Sequence, residues 1–157
     1  MRGMNFIDMA YLRVGNIQGD FERIRYQRNK TRKFFSIKIS EPLKEILKTY
    51  IADPNQKTDF IFPILKKGMS PEREYLTIKN KRKRINEKLH KIADLLEIER
   101  FTIYSARHTY ATMGKRKGVP TAVIQESLGH ETEAITQKYL DSFENDTIDK
   151  YDELIMM

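Results

Sequence analysis

Cysteine is missing from all 157 residues. Disulfides and thiolate-held metals are therefore excluded. Histidine is scarce, with only His90, His108 and His130 present. They form no HExxH or other compact ligand spacing, so no zinc site and no metal cofactor are expected. No stretch approaches the ~18 consecutive apolar residues of a membrane-spanning helix, and no signal peptide is visible. The expectation is a cytoplasmic protein with no membrane contact. Internal repeats and low-complexity linkers are also missing. The length fits one domain with a sizeable core.

Positive charge is abundant. The chain has 29 Lys+Arg against 22 Asp+Glu, a formal charge of +7. The excess is unevenly spread. Residues 140–157 carry six acidic side chains against Lys150, which makes −5 and leaves +12 on residues 1–139. The body is the candidate polyanion binder, and nucleic acid is the most common partner of such a surface.

Hydrophobic spacing gives the elements. Residues 4–12, MNFIDMAYL, carry a short amphipathic helix already under way at the start of the chain, as in a fragment with a part missing upstream. FERIRYQR (21–28) and FFSIKI (34–39) read as strands, and NKTRK between them as a polar turn, together a β-hairpin with a basic tip. Ser40 and Pro42 open a helix with an apolar face of Leu43, Ile46, Leu47, Tyr50 and Ile51. DFIFPIL suggests a short strand before Pro63. Residues 75–97 form the longest helical pattern, with Ile85, Leu89, Ile92 and Leu96 as its stripe. Ser105 is placed to cap a helix running to about Lys117. A further helix starts near Thr121 and ends at Gly129, a typical residue just past a helix end. Another from about Thr132 carries Tyr139, and Ile148, Tyr151, Leu154 and Ile155 mark a last one. The class is α+β, mostly α, with a small antiparallel sheet.

Several residues stand out chemically. KNKRKRINEKLHK (79–91) holds seven Lys/Arg against Glu87 alone. Lys81, Arg82, Arg84 and Lys88 are candidate phosphate contacts there, with Lys33 on the hairpin, each adding salt-dependent affinity. The alternative is a solvated helix face, and the uneven charge of the chain favours DNA contact. Arg107 begins a helix, where a guanidinium and a helix N-terminus together seat a phosphate. Taken alone, a surface ion pair is the readier explanation of Arg107. His130 follows the Leu-Gly of a helix end, and it could serve a phosphate or the turn's own backbone. Tyr139 lies nine positions after His130. On one straight helix the two would face opposite ways, since nine steps of about 100° turn roughly half a circle. Taken alone, Tyr139 is a core tyrosine. With a phenol pKa of about 10, only a strongly electropositive site makes it a useful nucleophile.

The order of these motifs resembles the catalytic domain of the tyrosine recombinases, the phage integrase family. ARHTYAT is similar to the family's box around its second arginine, which gives that role to Arg107. LGHETEAITQKYL resembles the box with a histidine, nine residues' step and the nucleophile, which maps His130 and Tyr139. YQRNKTRKFFSIKI resembles the hairpin with the catalytic lysine, which falls on Lys30. The start, RGMNFIDMAYL, is similar to integrases of mobile elements in Bacteroides-type bacteria. The family pattern T-G-L-R-x-S-E-L, laid on residues 2–9, puts Asn5 where its first arginine belongs. Either Arg2, three residues earlier on nearly the same helix face, supplies that guanidinium, or the role is vacant. Tyr104 stands where the family usually has a histidine, and a phenol is a poorer proton acceptor than an imidazole near neutral pH. The family's upstream DNA-clamping domain has no counterpart in this chain.

The resemblance implies a site-specific recombinase acting on double-stranded DNA of a bacterial chromosome or mobile element. Tyr139 would form a covalent 3′-phosphotyrosine with no cofactor, neither ATP nor metal. Four protomers would assemble on two duplexes, the acidic tail docking on a neighbour, with an accessory DNA-bending protein as a further partner. A type IB topoisomerase-like strand-relaxing enzyme uses the same chemistry. A non-catalytic helix-turn-helix module, built on residues 105–128, is the alternative from another class.

Overall fold

The computed structural model describes residues 1–130 together with Thr132, Ala134, Thr136 and Met156. The chain divides into two compact units, residues 1–107 and 108–157. No helix among the described residues is long and apolar enough to cross a membrane.

The first unit starts with helix α1, Phe6–Ala10. Five residues are too few for a helix to hold itself in water. Phe6 and Ala10 are buried with Ile64, Leu65 and Ile78, and this packing fixes it. A single 3-10 turn, Val14–Asn16, then leads into strand β1, Ile17–Gln18. Asn16 holds that corner. Its Oδ1 accepts the Arg13 N–H at 2.7 Å, and its Nδ2 donates to the Arg25 carbonyl at 2.8 Å. Neither the turn nor β1 shows in hydrophobic periodicity, because both are too short to have one.

Strands β2, Arg23–Gln27, and β3, Phe34–Lys38, complete an antiparallel sheet in the order β1-β2-β3. Ile24 lies opposite Ile37, and Tyr26 opposite Phe35. The Tyr26 and Phe35 rings stack at 5.3 Å. Strand alternation turns these four inward and leaves Arg25, Gln27, Phe34 and Lys38 on the outward face. Helix α2, Glu41–Tyr50, follows Ser40 and carries Pro42 in its first turn, where a missing N–H costs nothing. Its Leu47 joins Leu12, Val14, Ile24, Ile39 and Ile61 in the core beneath the sheet.

The expected strand in DFIFPIL reduces to one isolated bridge, Arg13 to Phe60. Val14 N–H to Asp59 O and Ile61 N–H to Leu12 O, both 2.9 Å, flank it. The 3-10 turn after Arg13 bends the partner away before a ladder can extend.

Helix α3, Pro71–Leu95, begins four residues ahead of the apolar pattern. Capping explains the difference. Ser70 Oγ accepts the Arg73 N–H, Pro71 takes the first position, and Glu72 and Glu74 suit the positive end of the helix dipole. Its stripe is also rotated from the expected one. Ile78 and Ala93 are buried, Ile85 and Leu89 half-buried, and Ile92 and Leu96 exposed. The helix closes with Glu97 at φ 52 and an Ile98 N–H to Ala93 O bond of 3.1 Å, a left-handed termination usually made by glycine.

Helix α4, Ser105–Arg116, starts at Ser105 itself. Ser105 is not its cap, as the sequence suggests. Its hydroxyl accepts the Thr102 N–H at 3.1 Å instead. In the second unit, α4 meets helix α5, Thr121–Leu128, through Ala111, Ile124 and Leu128. Gly114 permits the approach: a Cβ there would stand 3.2 Å from Ile124 Cδ1. The predicted helices after Thr132 lie largely outside the described residues.

Candidate active site

Strand alternation continues past β2. Ile24 and Tyr26 point inward, and Arg28 keeps their parity. Arg28 is only 7% exposed, and Asp8, across from it on α1, only 4%. Arg28 Nε lies 3.6 Å from Asp8 Oδ2. Asp8 Oδ1 accepts the Asn29 N–H at 2.9 Å. One carboxylate thus grips both the guanidinium at the end of β2 and the first amide of the turn beyond it.

That turn is closed from inside. Arg28 N–H donates to Lys33 O at 2.8 Å, and Arg32 N–H to Arg28 O at 3.0 Å. The Gln27 side-chain amide reaches Arg32 O at 2.9 Å. Arg32 itself sits at φ 57. Lys30 and Lys33 are exposed on this basic loop, which is anchored at its base by Asp8.

Arg107, the third residue of α4, is 5% exposed. Its Nη1 donates to the Gly3 carbonyl at 2.7 Å. Arg2 and Gly3, at φ 47 and 59, form the left-handed bend that carries this carbonyl, and Met4 N–H to Met1 O at 3.1 Å closes it. Arg2 is therefore part of a built turn.

These charges act on one another. Burial pushes the Asp8 carboxyl above the usual carboxylate range, while the Asn29 amide, Arg28 and Arg107 pull it down. The Tyr26 phenol is pushed up to about 12, first by burial and then by the Asp8 charge, against Arg28, Arg107 and Arg2. Arg28, Arg107 and Asp8 are all buried, and the Tyr26 phenol stays protonated at neutral pH. The surplus is positive, and the chemistry it suits is holding an oxyanion.

The other predicted residues are placed as follows. Tyr104 is exposed just ahead of α4, with its N–H on Thr102 Oγ1 at 3.3 Å. Lys81, Arg82, Arg84 and Lys88 are all exposed on α3. His130 belongs to the second unit. Gly129, at φ 66, ends α5, and His130 N–H bonds back to Gln125 O at 3.1 Å. The His130 ring Nδ1 stands 2.9 Å from Thr136 Oγ1, a fully buried residue. Tyr139 lies outside the described residues. Among those described, no group of His, Asp and Glu could hold a metal ion.

The model of the phage integrase family matches residues 2–146. The chain belongs to the phage integrase family. Among curated relatives, a tyrosine recombinase of Thermosipho africanus is 32% identical over 138 residues, covering 88% of this chain and 45% of the relative. The tyrosine recombinase XerD of Chlamydia trachomatis serovar D is 27% identical over 152 residues, covering 95% and 48%. This family member therefore spans about half the length of the relatives it matches. Among solved structures, XerH recombinase bound to a palindromic difH substrate aligns with a TM-score of 0.70 at 16% identity, covering 99% of this chain and 43% of that one. XerA recombinase aligns with a TM-score of 0.66 at 20% identity, covering 97% and 53%. These likenesses show the fold: mostly helical, with a three-stranded antiparallel sheet, as the sequence implies.

Proposed function

We propose that this chain is the catalytic part of a site-specific DNA recombinase, cleaving and rejoining double-stranded DNA through a covalent 3′-phosphotyrosine. The observation that carries this reading is the buried Arg28–Asp8 pair at the base of the hairpin that bears Lys30, with the buried Arg107, in a member of the phage integrase family. Tyr139 Oη attacks the scissile phosphorus, and its proton passes to solvent water. The bond from phosphorus to the 5′-oxygen breaks, and Lys30 protonates that oxygen as general acid. Arg107, Arg28 and His130 stabilise the negative charge of the pentavalent phosphorane. The ester stores the bond energy, so a second strand's 5′-hydroxyl reverses the step without ATP or metal.

Arg28 takes the role left open by Asn5. Burial and the Asp8 partner support it over Arg2, whose backbone is committed to the Gly3 bend. Tyr104, exposed at the start of α4, is a phosphate hydrogen-bond donor in this scheme. Lys81, Arg82, Arg84 and Lys88 on α3, with Lys33, hold the DNA backbone. Four copies on two duplexes, tail-to-neighbour docking, an accessory DNA-bending protein and a bacterial cytoplasmic setting complete the proposal.

The test is a nicked duplex that traps the cleaved state, read as a protein–DNA band in SDS. The band is expected from the wild type and lost in Tyr139→Phe. A band that survives this change would overturn the assignment of the nucleophile. Arg28→Ala is expected to abolish the band, whereas Arg2→Ala weakens it less.

A further inference from the structure

Residues 23–38 carry four arginines, three lysines and no Asp or Glu. Arg28 turns inward to Asp8. The outward face of β2 and β3 is a separate surface. Its cross-strand pairs are Arg23 with Lys38, Arg25 with Ser36, and Gln27 with Phe34. Arg23 and Lys38 set like charges directly opposite, an arrangement that weakens a ladder. Arg23 is steadied by its Nε on Ser36 Oγ at 2.7 Å and its Nη2 on Ser36 O at 3.1 Å. At the other end of this face the Phe34 ring is 77% exposed. Arg25 is its diagonal neighbour, and exposed Arg32 and Lys33 precede it. Folding gains little from this ring, because its neighbour in sequence, Phe35, does the packing.

We infer that the outward face of the β2–β3 hairpin is a stacking platform for an unpaired nucleic-acid strand, with Phe34 taking a base and Arg25, Lys33 and Lys38 following the phosphates. An open aromatic face flanked by cations, on two strands and a turn that carry no Asp or Glu, is the combination that single-stranded nucleic acid requires. A duplex keeps its bases stacked inside and offers the ring nothing comparable. The assignment of the strand rests on the recombinase reading. Cleavage releases a 5′ end beside Lys30, and Phe34 is four residues along the same hairpin. The platform would hold that end until it is rejoined.

The full chain contains no tryptophan, so Phe34→Trp supplies a lone fluorophore. Titration with oligothymidylate should quench it, and affinity should match or exceed the wild type. Phe34→Ala and Phe34→Leu should weaken oligothymidylate binding about five- to tenfold, the loss of one base stack. The ring is exposed, so these variants retain the fold. Absence of quenching, or equal affinity in Phe34→Ala, would overturn the platform. So would a Phe34→Ala change in oligomeric mass with oligothymidylate binding untouched, which would mark a protein interface. Tyr139→Phe should leave the quenching intact. Failure of the wild type to form the covalent band, with quenching preserved, would sink the recombinase reading and not this one.

Discussion

Replacing Asp8 by Asn separates the cost of a buried charge from its use. The carboxylate is 4% exposed and lies 3.6 Å from the Arg28 guanidinium. Burial nevertheless pushes its pKa above the usual range, outweighing the Asn29 amide, Arg28 and Arg107. An acid with a raised folded pKa binds its proton more tightly folded than unfolded. Its contribution to stability is therefore lost as pH rises from the ordinary carboxylate pKa of about 4 through the raised value. Asp8→Asn mimics the protonated acid and keeps the oxygen that accepts the Asn29 N–H at 2.9 Å. It should match the wild type in acid and be the more stable protein at neutral pH. Asp8→Ala removes that acceptor and should cost about 1–3 kcal/mol. With an m-value of about 2 kcal/mol/M, the urea midpoint falls by roughly 0.5–1.5 M. Urea unfolding followed by circular dichroism, repeated across pH, reads both effects. Covalent DNA adduct should still decline in Asp8→Asn, up to about 10²-fold, because the uncharged amide no longer sets the guanidinium and the hairpin base. The reasoning is refuted if Asp8→Asn loses about 3 kcal/mol or more at neutral pH and recovers in acid. That pattern belongs to a buried ion pair whose attraction exceeds its desolvation.

Arg107→Ala should lower the rate of adduct formation by about 10²–10³-fold in single-turnover assays, the usual effect of losing one oxyanion donor. Gly129→Ala forces a Cβ into the left-handed region at φ 66 and should cost about 1–2 kcal/mol in thermal unfolding. Leu47→Ala empties a fully buried position beneath the sheet and should cost about 2–5 kcal/mol in the same measurement. Neutralising Lys81, Arg84 and Lys88 with Gln should lower the salt slope of duplex binding by about 0.9 for each phosphate that these cations neutralise.

Much of the fold was legible because its long elements repeat. The hairpin alternates, α2 forms where its spacing predicts although Ile46 and Tyr50 of its stripe stay exposed, and Gly129 marks the end of α5. What failed to show was set by single contacts instead of patterns. The start of α3 depends on Ser70 and Pro71, in a stretch whose charged residues carry no stripe. The 3-10 turn depends on two hydrogen bonds of one asparagine. The order of the family's boxes alone proposes Arg107, His130 and Lys30 as site residues. Tyr139 follows from the same boxes, but its position lies outside the described residues.

Arg28 is the instructive omission. The same alternation that turns Ile24 and Tyr26 inward already assigns Arg28 to the buried face, one step beyond the strand. Read within YQRNKTRK it looks like one more cation on a basic tip. A lone arginine on a buried face calls for a polar partner opposite it. That partner is Asp8, twenty residues earlier on a helix too short to be secure from periodicity. In the family pattern Asp8 fills the acidic position and Asn5 leaves the arginine position empty. The chain restores a guanidinium to that acid from the neighbouring strand. Sequence alone could locate the vacancy on α1, but filling it required knowing that α1 and the end of β2 meet.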